Sequence, residues 1–236
     1  MRWAMRCTVS PHLSSADEAM IARTDFHNIS GTRCSTDFVE LPSVLMEHFC
    51  QAPSVLPLFA RHYLTNDPLP PELLRRHLEP IHAFRALSTQ YQIMLSVLDM
   101  TYHNTPEGKI DTTKVGHQVF KEYSLFPALP ADSSVTLQTS FTHLFPYGAS
   151  YYSYLFDRAI AAKVWKEVFE KDPLSREAGE KYRDEVLKWG GGRDGWDCVA
   201  GVLGQPELRG GGKEAMEQVG QWGIEKTVIS SLSENL

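Results

Sequence analysis

An all-α fold is what this sequence predicts, and three observations carry that reading. Apolar residues recur with a period of 3.6 over several long stretches, and those stretches stop at clusters of Pro, Gly, Asn or Asp. No run alternates at the period of two that marks a half-buried strand, and no internal repeat is present.

In chain order, Phe38, Leu41, Leu45 and Phe49 stand at helical spacing with Glu40 and Glu47 between them, which predicts a helix over 37–49. Pro71 suits the first turn of the next helix, where its missing N–H has no partner to lose, and Leu73, Leu74 and Leu78 follow. Pro80 is expected to interrupt or kink that element. Residues 81–102 then lack Gly and Pro and are apolar at Phe84, Leu87, Tyr91, Met94, Leu95 and Leu98, the pattern of a buried helix. A turn at 104–108 leads to a helix capped by Asp111 or Thr112 and ending near Tyr123, and a Pro-rich connector follows over 127–134. Residues 149–171 carry Tyr151, Tyr154, Leu155, Ile160, Val164 and Val168 at helical period and stop at Asp172-Pro173. Ser175 caps a helix expected to run to Trp189 and to be closed by Gly190, Gly191 and Gly192. Short helices are expected over 196–203 and 213–222.

Composition bounds the function. With 236 residues, 42% hydrophobic and 22% charged, the chain can bury one sizeable core, so one domain is the default and two small ones the fallback. A net charge of −6 gives no counterion-release advantage on a phosphate backbone, and no basic stripe with interleaved aromatics exists, which argues against nucleic acid as a partner. The longest apolar runs, such as 199–203, fall far short of the roughly 20 residues that span a bilayer. Cys7, Cys34, Cys50 and Cys198 form no C-x-x-C pair, and a reducing compartment fits them best. The start of the chain carries Arg2, Arg6, Ser and Thr but no acid before Asp17, the composition of a mitochondrial transit peptide or of an unstructured start.

Two strings carry chemistry. Gly31-Thr32-Arg33-Cys34-Ser35-Thr36-Asp37-Phe38-Val39-Glu40-Leu41-Pro42-Ser43 joins a Gly-Thr loop to an acid-bearing helix. By position alone Glu40 reads as a solvated helix glutamate rather than a ligand, since buried acids need a partner. In His143-Leu144-Phe145-Pro146-Tyr147-Gly148-Ala149-Ser150-Tyr151-Tyr152-Ser153-Tyr154, three tyrosines stand at i, i+4 and i+7. If the helix already includes Tyr147, the hydroxyls of Tyr147, Tyr151 and Tyr154 share one face and can line a cleft, or the rings form a core stripe.

These strings resemble the zinc oligopeptidase family of thimet oligopeptidase and mitochondrial intermediate peptidase, and the spelling Ser30 to Cys34 looks most like the intermediate peptidase branch. The resemblance runs from Ala22 to Gly204, through Ala161 to Lys166 and Ala178 to Glu185. It implies the C-terminal helical part of a zincin-type catalytic domain over 22–204, between a divergent or disordered 1–21 and a loosely related helical tail, 205–236. A catalytic zinc takes three protein ligands and keeps one position for water. The resemblance implies that Glu40 is the third ligand, that Tyr154 and Tyr147 hydrogen-bond the substrate carbonyl and steady the oxyanion, and that His143 and Tyr151 bind substrate. The better-known members carry one more glycine in the tyrosine loop, so matching Tyr147 takes a one-residue gap.

The family's H-E-x-x-H helix is absent from the sequence. Its place falls near Pro11-His12-Leu13-Ser14-Ser15, where the single His12 cannot substitute and Pro11 disfavours a helix interior. His27, His48, His62, His77, His82, His103 and His117 form no i, i+4 pair. The expectation is therefore metalloendopeptidase machinery without its metal base. The chain should bind zinc poorly, hydrolyse no peptide and expose unusual apolar area, being a truncation or an incomplete gene model. For the complete enzyme the resemblance implies removal of N-terminal octapeptides from imported precursors in the mitochondrial matrix, with a cytoplasmic location as the alternative. The expected partners are peptide substrate and the missing N-terminal half. A different class of function stays open, a non-catalytic helical peptide-binding or interaction protein that uses the tyrosine-lined groove.

Overall fold

The computed structural model describes residues 20–106, 108, 110–127 and 136–222. Expectations for 1–19, including His12 and its neighbours, for most of the Pro-rich connector and for the tail beyond Trp222 lie outside the described residues. Those residues are all-α: α1 Leu41–Gln51, α2 Leu56–Phe59, α3 Pro71–Ala83, α4 Arg85–His103, α5 Thr112–Tyr123, α6 Ser153–Val164, α7 Arg176–Glu185, α8 Gly195–Leu203 and α9 Lys213–Gln221. Among them the β geometry is confined to one isolated bridge, Arg61 with Pro68. The described residues form two compact units, one within 81–156 and one built from 20–80 and 157–222.

In the 81–156 unit, α4 and α5 pair around Met94, Leu95, Leu98 and Val119, and Tyr151 completes this buried cluster, with Phe141 and Tyr154 packed against it. The start of α5 is fixed as its sequence requires, because the Asp111 carboxylate accepts the Lys114 N–H at 3.0 Å. Two side chains tie the helix pair at opposite ends. Gln90 donates to the Tyr123 carbonyl at 2.7 Å, and the Tyr102 hydroxyl donates to the Thr112 carbonyl at 2.7 Å.

In the other unit, Leu41, Leu45, Val164, Val199, Val202 and Leu208 are fully buried. Phe49 of α1 meets Trp165 and Phe169 edge-on at ring distances of 4.9 and 5.0 Å, and Phe169 meets Tyr182 of α7 at 5.9 Å. Trp165–Phe169 is a π-helical turn continuing α6. A satellite cluster of Leu56, Leu69, Leu74 and Leu78 lies under the 60–70 segment, while Leu58, Phe59, Tyr63 and Leu64 face solvent.

Four boundaries differ from the expectation. α1 begins at Leu41 rather than at residue 37, because Pro42 is tolerated only in a first turn. Glu40 is consequently the residue before the helix. α3 continues through Pro80 to Ala83, and the break falls at Phe84, whose φ of −101° and ψ of 10° leave the helical region. Proline removes only its own amide bond, so residues just after it still reach carbonyls of the preceding turn. The helix expected over 149–171 starts only at Ser153, with turns before it, and changes pitch at Trp165. Finally α7, capped by Ser175 at the Ala178 N–H, stops at Glu185 instead of Trp189, and the glycines lie in a separate 3-10 segment, Leu187–Gly192.

Candidate functional site

The tyrosine segment forms a compact aromatic cluster within the 81–156 unit. The His143 ring stands 5.8, 5.4 and 5.9 Å from those of Tyr147, Tyr151 and Tyr154. Tyr147 and Tyr154 are 5.9 Å apart, and Tyr151 and Tyr154 are 5.0 Å apart. Tyr147 is not in the helix, so the i, i+4, i+7 face is replaced by a turn that folds Tyr147 back over α6. The tyrosines are also not equivalent. Tyr151 is 6% exposed and packs on Phe141 at 4.9 Å, whereas His143, Tyr147 and Tyr154 are half-buried. The core-stripe reading therefore fits the ring of Tyr151, most of whose surface is taken up by the core. Two phenols and one imidazole remain at the surface as groups that can donate to a carbonyl oxygen.

The cluster sits on a feature that periodicity did not reveal. Asp99 of α4 is fully buried, and its two oxygens accept the N–H groups of Ala149 and Tyr151, each at 3.0 Å. His103, one turn on, brings Nδ1 to 2.8 Å from the same carboxylate. The available signal was a lone acid four residues after Leu95 and one after Leu98, on the apolar face of the longest helix. An acid there must have partners.

Glu40 belongs to the other unit. Its carbonyl accepts from the Val44 N–H at 3.0 Å and from the Ser43 hydroxyl at 2.8 Å, and its carboxylate lies 3.0 Å from the same hydroxyl. The start of a helix carries partial positive charge, which favours an acid at this place. The approach to Glu40 is held by the glycine segment. A β-carbon on Gly190 would lie 2.4 Å from the Ile29 carbonyl oxygen, and one on Gly191 would lie 2.3 Å from that of Arg33. Gly190 and Gly191 therefore serve close approach of two backbones, not the closing of α7 as expected. Among the described residues no three His, Cys, Asp or Glu side chains gather to hold a metal ion, so Glu40 is one prospective ligand and not a set.

The chain is 48% identical over 233 residues to the mitochondrial intermediate peptidase of Coccidioides immitis, covering 92% of this chain and 29% of the relative. It is 45% identical over 237 residues to mitochondrial intermediate peptidase 1 of Cryptococcus neoformans, covering 92% and 31%. For the mitochondrial intermediate peptidase of Coprinopsis scobicola the identity is 46% over 233 residues, covering 98% and 29%. The chain thus spans under a third of the length of these relatives. The profile of Peptidase family M3 matches residues 18–218, and on that match the chain belongs to Peptidase family M3.

Proposed function

We propose that the chain forms the substrate-side part of the catalytic domain of a zinc metalloendopeptidase of the mitochondrial intermediate peptidase kind. The observation that carries this reading is the cluster of His143, Tyr147 and Tyr154, in which two phenols converge within 5.9 Å beside an imidazole. Hydrolysis of a peptide places negative charge on the carbonyl oxygen, and hydroxyl donors fixed in advance at that oxygen stabilise it. Tyr154 and Tyr147 are the proposed donors, His143 places the substrate, and Tyr151 braces Tyr154 from the core side. Zinc is the proposed cofactor of the complete site, where it polarises the carbonyl and activates water, and Glu40 is the ligand proposed from this chain. Its proposed partners are peptides and the N-terminal half of the peptidase. The names of the relatives support a mitochondrial location and a peptidase reaction; the matrix as the compartment and trimming of an N-terminal octapeptide from imported precursors as the reaction are proposed from the family resemblance. By itself the 236-residue chain is expected to bind peptide without cleaving it.

Fluorescence anisotropy with a labelled octapeptide tests the reading. Tyr154→Phe and Tyr147→Phe should each weaken binding about three- to tenfold, the worth of one hydrogen bond, with circular dichroism unchanged. Undiminished binding in both variants would remove the tyrosines from the site. Chelator-sensitive turnover of a quenched peptide by the purified chain would overturn the expected inactivity. Tyrosine-dependent binding that zinc leaves unchanged, in a chain joined to the rest of the peptidase, would favour a peptide-binding module instead.

A further inference from the structure

Resting on the reading of the tyrosine cluster as a substrate wall, we propose that Asp99, oriented by His103, is the positioning residue of that wall. Four observations converge on it. The Asp99 carboxylate is fully buried and takes backbone N–H groups on both oxygens, from Ala149 and from Tyr151. These two amides flank the turn between Tyr147 and Tyr154, so the carboxylate fixes the direction in which the turn delivers both rings. Ala149 has a φ of 60°, a left-handed conformation that an alanine holds only when its surroundings impose it. The neighbouring Gly148 leaves room for the His103 ring, since a β-carbon there would lie 2.6 Å from Nε2.

His103 completes the device. Its Nδ1 lies 2.8 Å from Asp99 Oδ1 and 2.9 Å from the Asp99 carbonyl oxygen, so one N–H is shared between helix backbone and carboxylate. The carboxylate thereby accepts from three donors while out of contact with water. Asparagine has the same size but turns an NH2 toward one of the N–H groups, setting donor against donor. Inside a dry site that mismatch is relieved by moving the turn. Asp99 touches no substrate in this scheme and acts through the geometry of Tyr147 and Tyr154.

Two measurements on the full chain separate this role from a general contribution to stability. In Asp99→Asn, amide hydrogen exchange at Gly148, Ala149, Ser150 and Tyr151 should accelerate by about tenfold or more, with Leu95 and Val119 keeping their protection. Affinity for the labelled octapeptide should fall about fivefold, and adding Tyr154→Phe should cost less than it does alone, because the two changes act on one element. Ala149→Gly in the Asp99→Asn background should restore part of the affinity, since glycine takes positive φ without help. If Asp99→Asn does not fold, His103→Gln is read in its place and should give a smaller acceleration at the same four amides. Exchange that is unchanged there, or that rises uniformly through the unit, overturns the proposal. Peptide binding insensitive to Tyr154→Phe sinks the substrate-wall reading instead, and exchange at the four amides then decides the anchoring alone.

Discussion

Replacing the three consecutive glycines one at a time by alanine separates steric from conformational cost beside the approach to Glu40. Gly190→Ala meets both, because φ of 50° with ψ of −126° is a glycine conformation and the new methyl lies 2.4 Å from the Ile29 carbonyl oxygen, against backbone that cannot swing aside. The left-handed strain costs about 1–2 kcal/mol and the forced separation about 1–3 kcal/mol, giving roughly 2–5 kcal/mol of lost stability. Gly191→Ala meets only the second, with Arg33 O at 2.3 Å, and should lose about 1–3 kcal/mol. Gly192→Ala makes ordinary contacts with Ile29 and Thr24, at 3.6 Å each, and should stay within about 0.5 kcal/mol of the parent. Urea unfolding followed by tryptophan fluorescence reads all three. At a slope of about 2 kcal/mol/M the midpoints should fall by about 1–2.5 M, 0.5–1.5 M and under 0.3 M in that order. Equal midpoints for Gly190→Ala and Gly192→Ala would refute the close-approach reasoning.

Leu98→Ala, at a side chain 1% exposed in the core beneath the tyrosine cluster, should cost about 2–5 kcal/mol, read as a lowered urea midpoint. Arg193→Ala removes contacts to the Glu185 carboxylate and the Asp197 carbonyl, each at 2.8 Å, together with stacking over Trp189, and should cost about 1–3 kcal/mol in the same measurement. Burial pushes the Cys198 thiol up to about 12, so at pH 8 iodoacetamide should label it far more slowly than Cys34 and Cys50, as mass spectrometry of tryptic peptides would show. Desolvation likewise pushes the Tyr102 phenol up to about 12, whereas an unfolded tyrosine titrates near 10. Folding therefore favours the protonated phenol, and its contribution holds below pH of about 10 and is lost as pH rises toward 12. Tyr102→Phe should flatten the alkaline decline of the unfolding midpoint.

Local signals read well from the sequence. Asp111 and Ser175 cap the helices they were expected to cap, because an N-cap bond spans only three residues and leaves its mark in the residue type itself. The last short helices also fall where periodicity set them, at Gly195–Leu203 and Lys213–Gln221. What periodicity missed depends on distant partners. The glycines after Trp189 resemble a helix stop, yet the requirement at Gly190 and Gly191 comes from the backbone of Ile29 and Arg33. Pro42 moved Glu40 out of the helix by a rule legible in the sequence but outweighed by the apolar spacing around it. Tyr147, Tyr151 and Tyr154 looked alike because their spacing is regular. Their different burial follows from the turn before Ser153, whose shape is imposed by Asp99 on another helix.

The π turn at Trp165–Phe169 has its own consequence for tolerance of length change. A π turn holds one residue more than an α turn at nearly the same rise. It lets Trp165 and Phe169 stack at 6.4 Å and present both rings to Phe49. Excising a single amino acid there would restore ordinary winding with the downstream chain close to its present angle, whereas the same excision in a regular α turn swings everything downstream by about 100°. A lone codon deletion at this spot should therefore disturb the fold less than the same deletion within the regular turns of Ser153–Val164, its cost falling on the placement of the Trp165 and Phe169 rings against Phe49.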